Sequence, residues 1–477
     1  MTTHGTTMPI PPGIEVPDEL QTRLGTLRFF DGFPDDATTQ VLFDNLDFQR
    51  AVQAYLLALP AISVAAVRNA MLAWGPANST MGVWEDLVYP RAVVLTGNNN
   101  TSYLTMLMDL HDGPLVLESP AGVLGMINDS WQRWVVDIGL TGPDKGQGGK
   151  YLFLPPGYDG HVPEGYFVVR PRAYVLWVLS RGFLDKHGDP HPGVEVIEAN
   201  TRVYRLAEAD EPPPMRAVNI SPKPLAFVAP VGYRSWELLD ETVQSEPPDS
   251  SDPLFRGMLA SIGIQHGKPF DPDDRMRAIL TEAAAVGDAT ARALTYRFRQ
   301  PGAYYYPNST WRTVLLGGYR FQEDGVTLLD STAQYYFVGS PISPALEVKI
   351  VGGASQYAFA FVDASGEPFD GGRAYQLQVP ANVPVNNFWS VIAYDTQTRS
   401  MLQTGQDWPS VSSQDTDLAL NDDGSVDVHF GPEPPAGGPN WVQTVAGKSW
   451  FVIFRLYGPL EPWFDKTWRL PDIEPVA

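Results

Sequence analysis

Cysteine is absent from this chain, and its seven histidines, His4, His111, His161, His187, His191, His266 and His429, are scattered. Without thiols there is no disulfide, no thiolate nucleophile and no Cys-ligated zinc or iron–sulfur centre. Only His187 and His191 stand close, in His-Gly-Asp-Pro-His, which matches neither a zinc spacing nor a helical His-Glu-x-x-His pair. No Gly-x-Ser-x-Gly elbow occurs, so a Ser–His–Asp nucleophile has no support. Acid/base chemistry is left to Asp, Glu, Lys and Tyr, and Asp137, Asp144 and Tyr158 are the candidates.

Anion binding is the other chemistry within reach. Arg133, Lys145, Lys150 and Arg399 are the candidate anchors, with Trp131 and Trp389 as aromatic walls, because an Arg beside a Trp can stack while its fork grips an anion. Arg455, Trp463, Lys466 and Trp468 belong to the same aromatic and basic set, much of which core and interface packing would absorb. The run Gly142-Pro-Asp-Lys-Gly-Gln-Gly-Gly-Lys150 is Gly-rich but lacks the P-loop spacing, and a strand rather than a helix follows it. Its lysines could hold an anion through ammonium and Gly amides. Arg133 opens the short strand Trp134 to Ile138 and the loop begins just past its end, so the expectation is that they share one ligand. Asp415, Asp417, Asp422 and Asp423 invite a calcium reading, but Asn421-Asp-Asp-Gly424 is more simply a turn. No metal ligands are assigned and no cofactor is expected, calcium or magnesium being the cation left open.

These residues must be positioned by two kinds of segment. Residues 1–36 are rich in Pro, Gly and Thr and read as an arm. From 37 to 73 apolar residues fall at helical spacing, giving one helix up to Pro60 and another from about Ser63. Short apolar runs bounded by turns then repeat to about residue 210, the rhythm of an antiparallel sandwich. Helices return over 211–334, with Asp271 as an N-cap and Pro272 at the first helical position. Strands resume over 335–477, ending in a Trp- and Pro-rich tail. The run Ser449-Trp-Phe-Val-Ile-Phe-Arg-Leu-Tyr457 reads as a buried strand. The expected fold is mainly β with helical segments (α+β): two β-sandwich, jelly-roll-like domains joined and braced by helices.

The chain has 477 residues, more than one core usually serves, with 44% apolar and 18% charged residues. Its net charge of −22 repels phosphate backbones and anionic lipid, so nucleic acid is not an expected partner. The N-terminus shows no basic or apolar signal region, and no run approaches the ~18 apolar residues of a membrane span. The expectation is a cytoplasmic protein without membrane insertion, periplasmic or secreted if a signal has been trimmed.

Several runs carry a resemblance: Trp131-Gln-Arg133, Asp137-Ile-Gly-Leu-Thr-Gly142, Gly148-Gly-Lys-Tyr-Leu-Phe-Leu-Pro-Pro-Gly157, Asn387-Phe-Trp-Ser-Val391, Arg399-Ser-Met-Leu-Gln403, and the block from Asn440 to Trp468. Together they resemble a bacterial family built from domains of unknown function 1254 (N-terminal) and 1214 (C-terminal). The resemblance implies β-sandwich domains and a homo-oligomer, and brings no settled reaction. Many members of the family it resembles read Asn-Asn-Asp-Thr where this chain reads Asn98-Asn99-Asn100-Thr101, so any catalytic or metal work of that acid is lost here. The functional expectation is a hydrolase acting on a small amphipathic or anionic organic molecule (ester, sulfate ester or amide) in a cleft between β-domains. The alternative is a non-catalytic ligand-binding or cell-envelope assembly protein. A small-molecule ligand and a homodimer or homotetramer complete the expectations.

Overall fold

The structure is a computed structural model and describes residues 13–185 and 188–476, which leaves His4 and His187 outside the described residues. Within the arm, Glu19–Thr22, Gly25–Phe30 and Phe33–Pro34 form a small antiparallel sheet. Asp35 then caps a helix, its side chain accepting from the Thr38 amide. That helix, Asp36–Leu72, runs unbroken through Pro60, where the sequence reading has two helices. Proline removes one helical hydrogen bond, but Ala58, Leu59, Ala61 and Ile62 are all buried around it. Burial on both flanks outweighs the single missing bond.

The first sandwich packs a six-stranded sheet against a four-stranded one. The six-stranded sheet includes Ser102–Asp109, Leu124–Asp129 and Val175–Gly182, and the four-stranded one includes Leu115–Ser119 and Gly149–Phe153. Leu104, Met106, Leu176 and Val178 of the larger sheet meet Leu117, Tyr151 and Phe153 of the smaller. The second sandwich is built the same way. A sheet containing Ser355–Ala360, Val385–Asp395 and Ser449–Pro459 faces one containing Tyr375–Val379 and Val426–Gly431. The fold is therefore mainly β within an α+β architecture.

Helices Asp36–Leu72, Arg234–Ser245, Pro253–Ser261, Asp274–Tyr296 and Leu329–Val338 form a layer between the sandwiches. The cap of Asp274–Tyr296 is Asp273, accepting from the Met276 amide, two residues later than the Asp271 expected. One core joins this layer to Trp84, Leu107 and Trp177 of the first sandwich and to Phe359, Tyr394, Phe451 and Ile453 of the second. The outer faces of both large sheets thus turn inward, toward each other. The first helix is long and apolar enough to cross a membrane by length and composition alone, yet 72% of that window is buried inside the protein, as in a core helix.

Candidate functional site

Side chains alternate along a strand, so each of the two large sheets has one face in its own sandwich and one in the shared layer. In Val175–Gly182, Leu176 and Val178 enter the sandwich while Val175 and Trp177 enter the layer. Arg181 falls on the layer side by the same parity. In Ser449–Pro459, Val452, Phe454 and Leu456 point into the sandwich and Phe451 and Ile453 into the layer, which puts Arg455 and Tyr457 there too. Each arginine lies directly across from a tyrosine on the neighbouring strand, Arg181 opposite Tyr103 and Arg455 opposite Tyr357.

Arg181 and Arg455 line one cavity of about 280 Å³ between the two sandwiches. Tyr103, Tyr305, Tyr335, Tyr357 and Gln356 share its walls, as do Leu124, Met126, Leu315 and Phe359. Both arginines are nearly enclosed, at 8% and 5% exposure. Arg455 donates to the Thr96 carbonyl at 2.5 Å and to the Tyr394 hydroxyl at 2.9 Å. Its Nε has no partner, nor has the Nε of Arg181 or the amide nitrogen of Gln356. Neither guanidinium pairs with a described Asp or Glu. Burial works against both charges, but the phenols of Tyr357, Tyr457 and, for each, one further tyrosine outweigh it and raise both pKa values. Both groups remain cations at neutral pH. A buried cation without a counter-charge costs several kcal/mol, on the order of an ion's desolvation in a protein interior.

Local structure holds the walls in place. Asn98 donates to the Tyr103 hydroxyl at 2.5 Å and accepts from the Asn100 amide at 3.0 Å. The Thr96 amide donates to the Arg399 carbonyl at 2.8 Å. Tyr335 donates to the Pro341 carbonyl at 2.5 Å, and burial lifts its pKa well above the ordinary phenol value, so it stays neutral. Next to this cavity lies an annex of about 90 Å³, which shares Thr96, Tyr103, Leu179 and Ser340 with it and is otherwise bounded by Trp84, Val88, Trp177 and Phe227. Cationic donors at one end and an apolar recess beside them can take an anion with a hydrophobic body.

None of the nine site residues singled out from sequence lines this cavity. Asp137 accepts from Trp134 Nε1 and from the Ser343 hydroxyl, both at 2.8 Å, and burial raises its pKa. Asp144 braces the glycine loop, accepting from the amides of Gly139 and Gly148 and from the Tyr151 hydroxyl. Tyr158 donates to the His161 carbonyl at 3.1 Å. Arg133 pairs with Asp129 at 2.6 Å and donates to the Ser250 carbonyl, while Trp131 donates to Ser250 Oγ. Trp131 and Arg133 do border a separate, open cleft with Arg172 and Arg256. Lys150 pairs with Glu118 at 2.8 Å and Lys145 is exposed, so neither shares a partner with Arg133. Trp389 stacks on Phe454 inside the second sandwich. Arg399 lies 4.2 Å over the Phe337 ring, and burial lowers its pKa. Asp423 holds the Ser425 amide and hydroxyl in the turn read from sequence, and the described residues contain no group of three or more His, Asp or Glu placed to share a metal ion.

Arg455 was within the aromatic and basic set of the sequence; Arg181 was not. The signal common to both is a single arginine inside a strand that is otherwise apolar, as in Val175-Leu-Trp-Val-Leu-Ser-Arg181.

Two family models match the chain, a protein of unknown function (DUF1254) over residues 79–205 and a protein of unknown function (DUF1214) over residues 354–461. Among solved structures, the VPA0106 protein from Vibrio parahaemolyticus is similar over 90% of this chain and 100% of its own, with 18% identity and a TM-score of 0.55. That likeness is one of fold. A putative uncharacterized protein from Burkholderia cenocepacia aligns over 92% of this chain and 96% of its own, with 14% identity and a TM-score of 0.41. No curated protein matches.

Proposed function

For a chain that carries a DUF1254 region followed by a DUF1214 region, we propose that the cavity between the two sandwiches binds a small organic anion with an apolar body. One observation carries this reading: Arg181 and Arg455, both nearly buried, line a single cavity with unpartnered N–H groups and no acidic partner among the described residues. An anionic ligand would supply the missing counter-charge, and its body would occupy the annex beside Trp84 and Trp177. The reading is tested by thermal shift and calorimetry with 4-phenylbutyrate and the matched alcohol, 4-phenylbutanol. The acid should raise the melting temperature and the alcohol should not. Both Arg181→Met and Arg455→Met should erase the effect. A wild-type protein indifferent to carboxylate, sulfate-ester and phosphonate head groups alike would end the proposal.

Hydrolysis of an ester, sulfate ester or amide of such an anion is the second reading. It is favoured by Glu347, a carboxylate on the cavity wall that forms no ion pair among the described residues and could take a proton from water. Release of 4-nitrophenol from its succinate half-ester would support it, and a rate equal to the uncatalysed one would count against it. A bound calcium or magnesium ion belongs to this reading only if a chelator lowers that rate. A cytoplasmic site of action and a homodimer or homotetramer complete the proposal, the latter supported by Phe30, Phe33 and Phe43, which are exposed.

A further inference from the structure

The cavity holds both signs of charge and keeps them apart. Glu347 follows the short turn Pro344–Leu346, which packs beside a second turn, Gly318–Arg320. Gly318 has a φ of +67°, and a Cβ there would stand 2.8 Å from both Glu347 carboxylate oxygens. The positive φ favours glycine there, and the missing side chain leaves the carboxylate room. Although two guanidiniums line the same cavity, Glu347 pairs with neither. An arginine and a glutamate free to meet in a partly dry site would do so, since such pairs gain most where water is scarce. Here no such pair forms, and Tyr335 and Tyr357 line the same cavity, the Tyr357 ring 5.1 Å from the Arg455 guanidinium.

Resting on the reading that this cavity binds an organic anion, we infer that its ligand is zwitterionic: an amino acid or close analogue with an apolar side chain. Its carboxylate sits between Arg181 and Arg455, its ammonium meets Glu347, and its side chain enters the annex bounded by Trp84, Trp177 and Phe227. A plain carboxylic acid would satisfy the arginines and leave Glu347 unanswered. A plain amine would leave two buried cations unanswered, the larger penalty.

The test is calorimetric, on the full chain, with matched ligands that differ by one group: phenylalanine, 3-phenylpropionate and 2-phenylethylamine, and, for a smaller side chain, leucine and 4-methylpentanoate. In at least one pair the amino acid should bind about fivefold tighter than its deaminated partner, the advantage of one partly exposed ion pair. The amine alone should show no heat of binding. Glu347→Gln should bring the two acids of a pair to the same Kd without weakening the deaminated one. Equal binding of the two acids by wild type, or a preference that survives Glu347→Gln, overturns the inference and leaves anion binding standing. Loss of ester cleavage in Glu347→Gln with no change in the ratio would make the carboxylate a base and also overturn it. If neither acid of either pair binds, the anion reading fails first and this one falls with it.

Discussion

Arg181 and Arg455 can be compared with Arg312, a third arginine equally buried and equally without an acid. Arg312 donates to the Thr295 carbonyl and lies 4.5 Å over Phe361, off the cavity, and burial lowers its pKa to about 10. Its Nη1 is also without a partner, so what separates Arg312 from the other two is that it lines no part of the cavity. A site that waits for an anion behaves differently, because it is under strain when empty. Arg181→Met should therefore leave the ligand-free melting temperature unchanged or raise it, as replacing buried ionic groups by apolar ones often does, by up to about 1–4 kcal/mol. Arg312→Met should lower it and leave anion binding intact. Scanning calorimetry with and without ligand separates the two. Asp137 offers a pH test. Burial raises its folded pKa above the unfolded value, so the folded state holds the proton more tightly and protonation favours folding. Stability is then greatest below the unfolded pKa and falls as pH rises through the folded one. Asp137→Asn can keep the bonds to Trp134 and Ser343 without titrating. Its melting temperature relative to wild type should thus climb from pH 4 to pH 7; a constant difference would show that Asp137 does not titrate in this way.

At the scale of elements, two packing contests run against local rules. Gly287 sits inside helix Asp274–Tyr296, where Ala would ordinarily gain about 1 kcal/mol. A Cβ there would stand 2.4 Å from the Tyr55 ring, which is wedged edge-on against Trp236 at 5.8 Å. Overpacking costs about 1–3 kcal/mol, so the clash wins. Gly287→Ala should lower the melting temperature although it improves the helix; a rise would mean that the two helices can separate without loss. The strands show the second contest. An arginine within an apolar strand defies the alternation pattern, and Arg181 and Arg455 persist because the layer they face contains a cavity rather than packed core. How much was legible in sequence follows from this. Strand Ser449–Pro459 was evident from its own residues, but which of its faces met a sandwich and which a cavity was not, since period-2 alternation says nothing about what lies opposite.

At the scale of the whole molecule, the net charge of −22 surrounds a cationic cavity. An anion approaching from solution meets overall repulsion before it meets Arg181 and Arg455. Salt screens that repulsion beyond about 8 Å at physiological ionic strength, whereas the enclosed contact is screened far less. Raising the salt from 0.02 to 0.3 M should therefore speed association of the anion and leave its dissociation nearly constant, the reverse of ordinary steering. Stopped-flow traces in which association slows with salt would contradict this. The C-terminal tail is part of the same body. Trp463, Leu470 and Ile473 are buried in the second core, Trp311 Nε1 donates to the Pro471 carbonyl at 2.7 Å, and Glu474–Pro475 adds a strand to Tyr375–Val379. Removing residues 460–477 should unfold the second sandwich, seen as loss of protease resistance; a truncated chain that melts like the full one would show the tail to be dispensable.

The sequence by itself determined the kinds of element and much of the chemistry. Turn-bounded apolar runs specify sandwiches, 3.6-residue spacing specifies the bracing helices, and the lack of cysteine removes thiol chemistry, because each of these depends on residues close together in the chain. It also marked the turn at Asn421–Gly424 and the aromatic strand that carries Arg455. Only the tertiary structure decided the site. Arg133, Lys145 and Lys150 are near one another in sequence, yet Arg133 turns to Asp129 and Lys150 to Glu118. Arg181 and Arg455 belong to different domains, and they meet because two sheets turn their outer faces toward a common layer. A charge takes its meaning from what surrounds it after folding. A solvated arginine and an enclosed, unpaired one have the same local sequence, and only the packing of distant strands distinguishes a surface charge from a binding site.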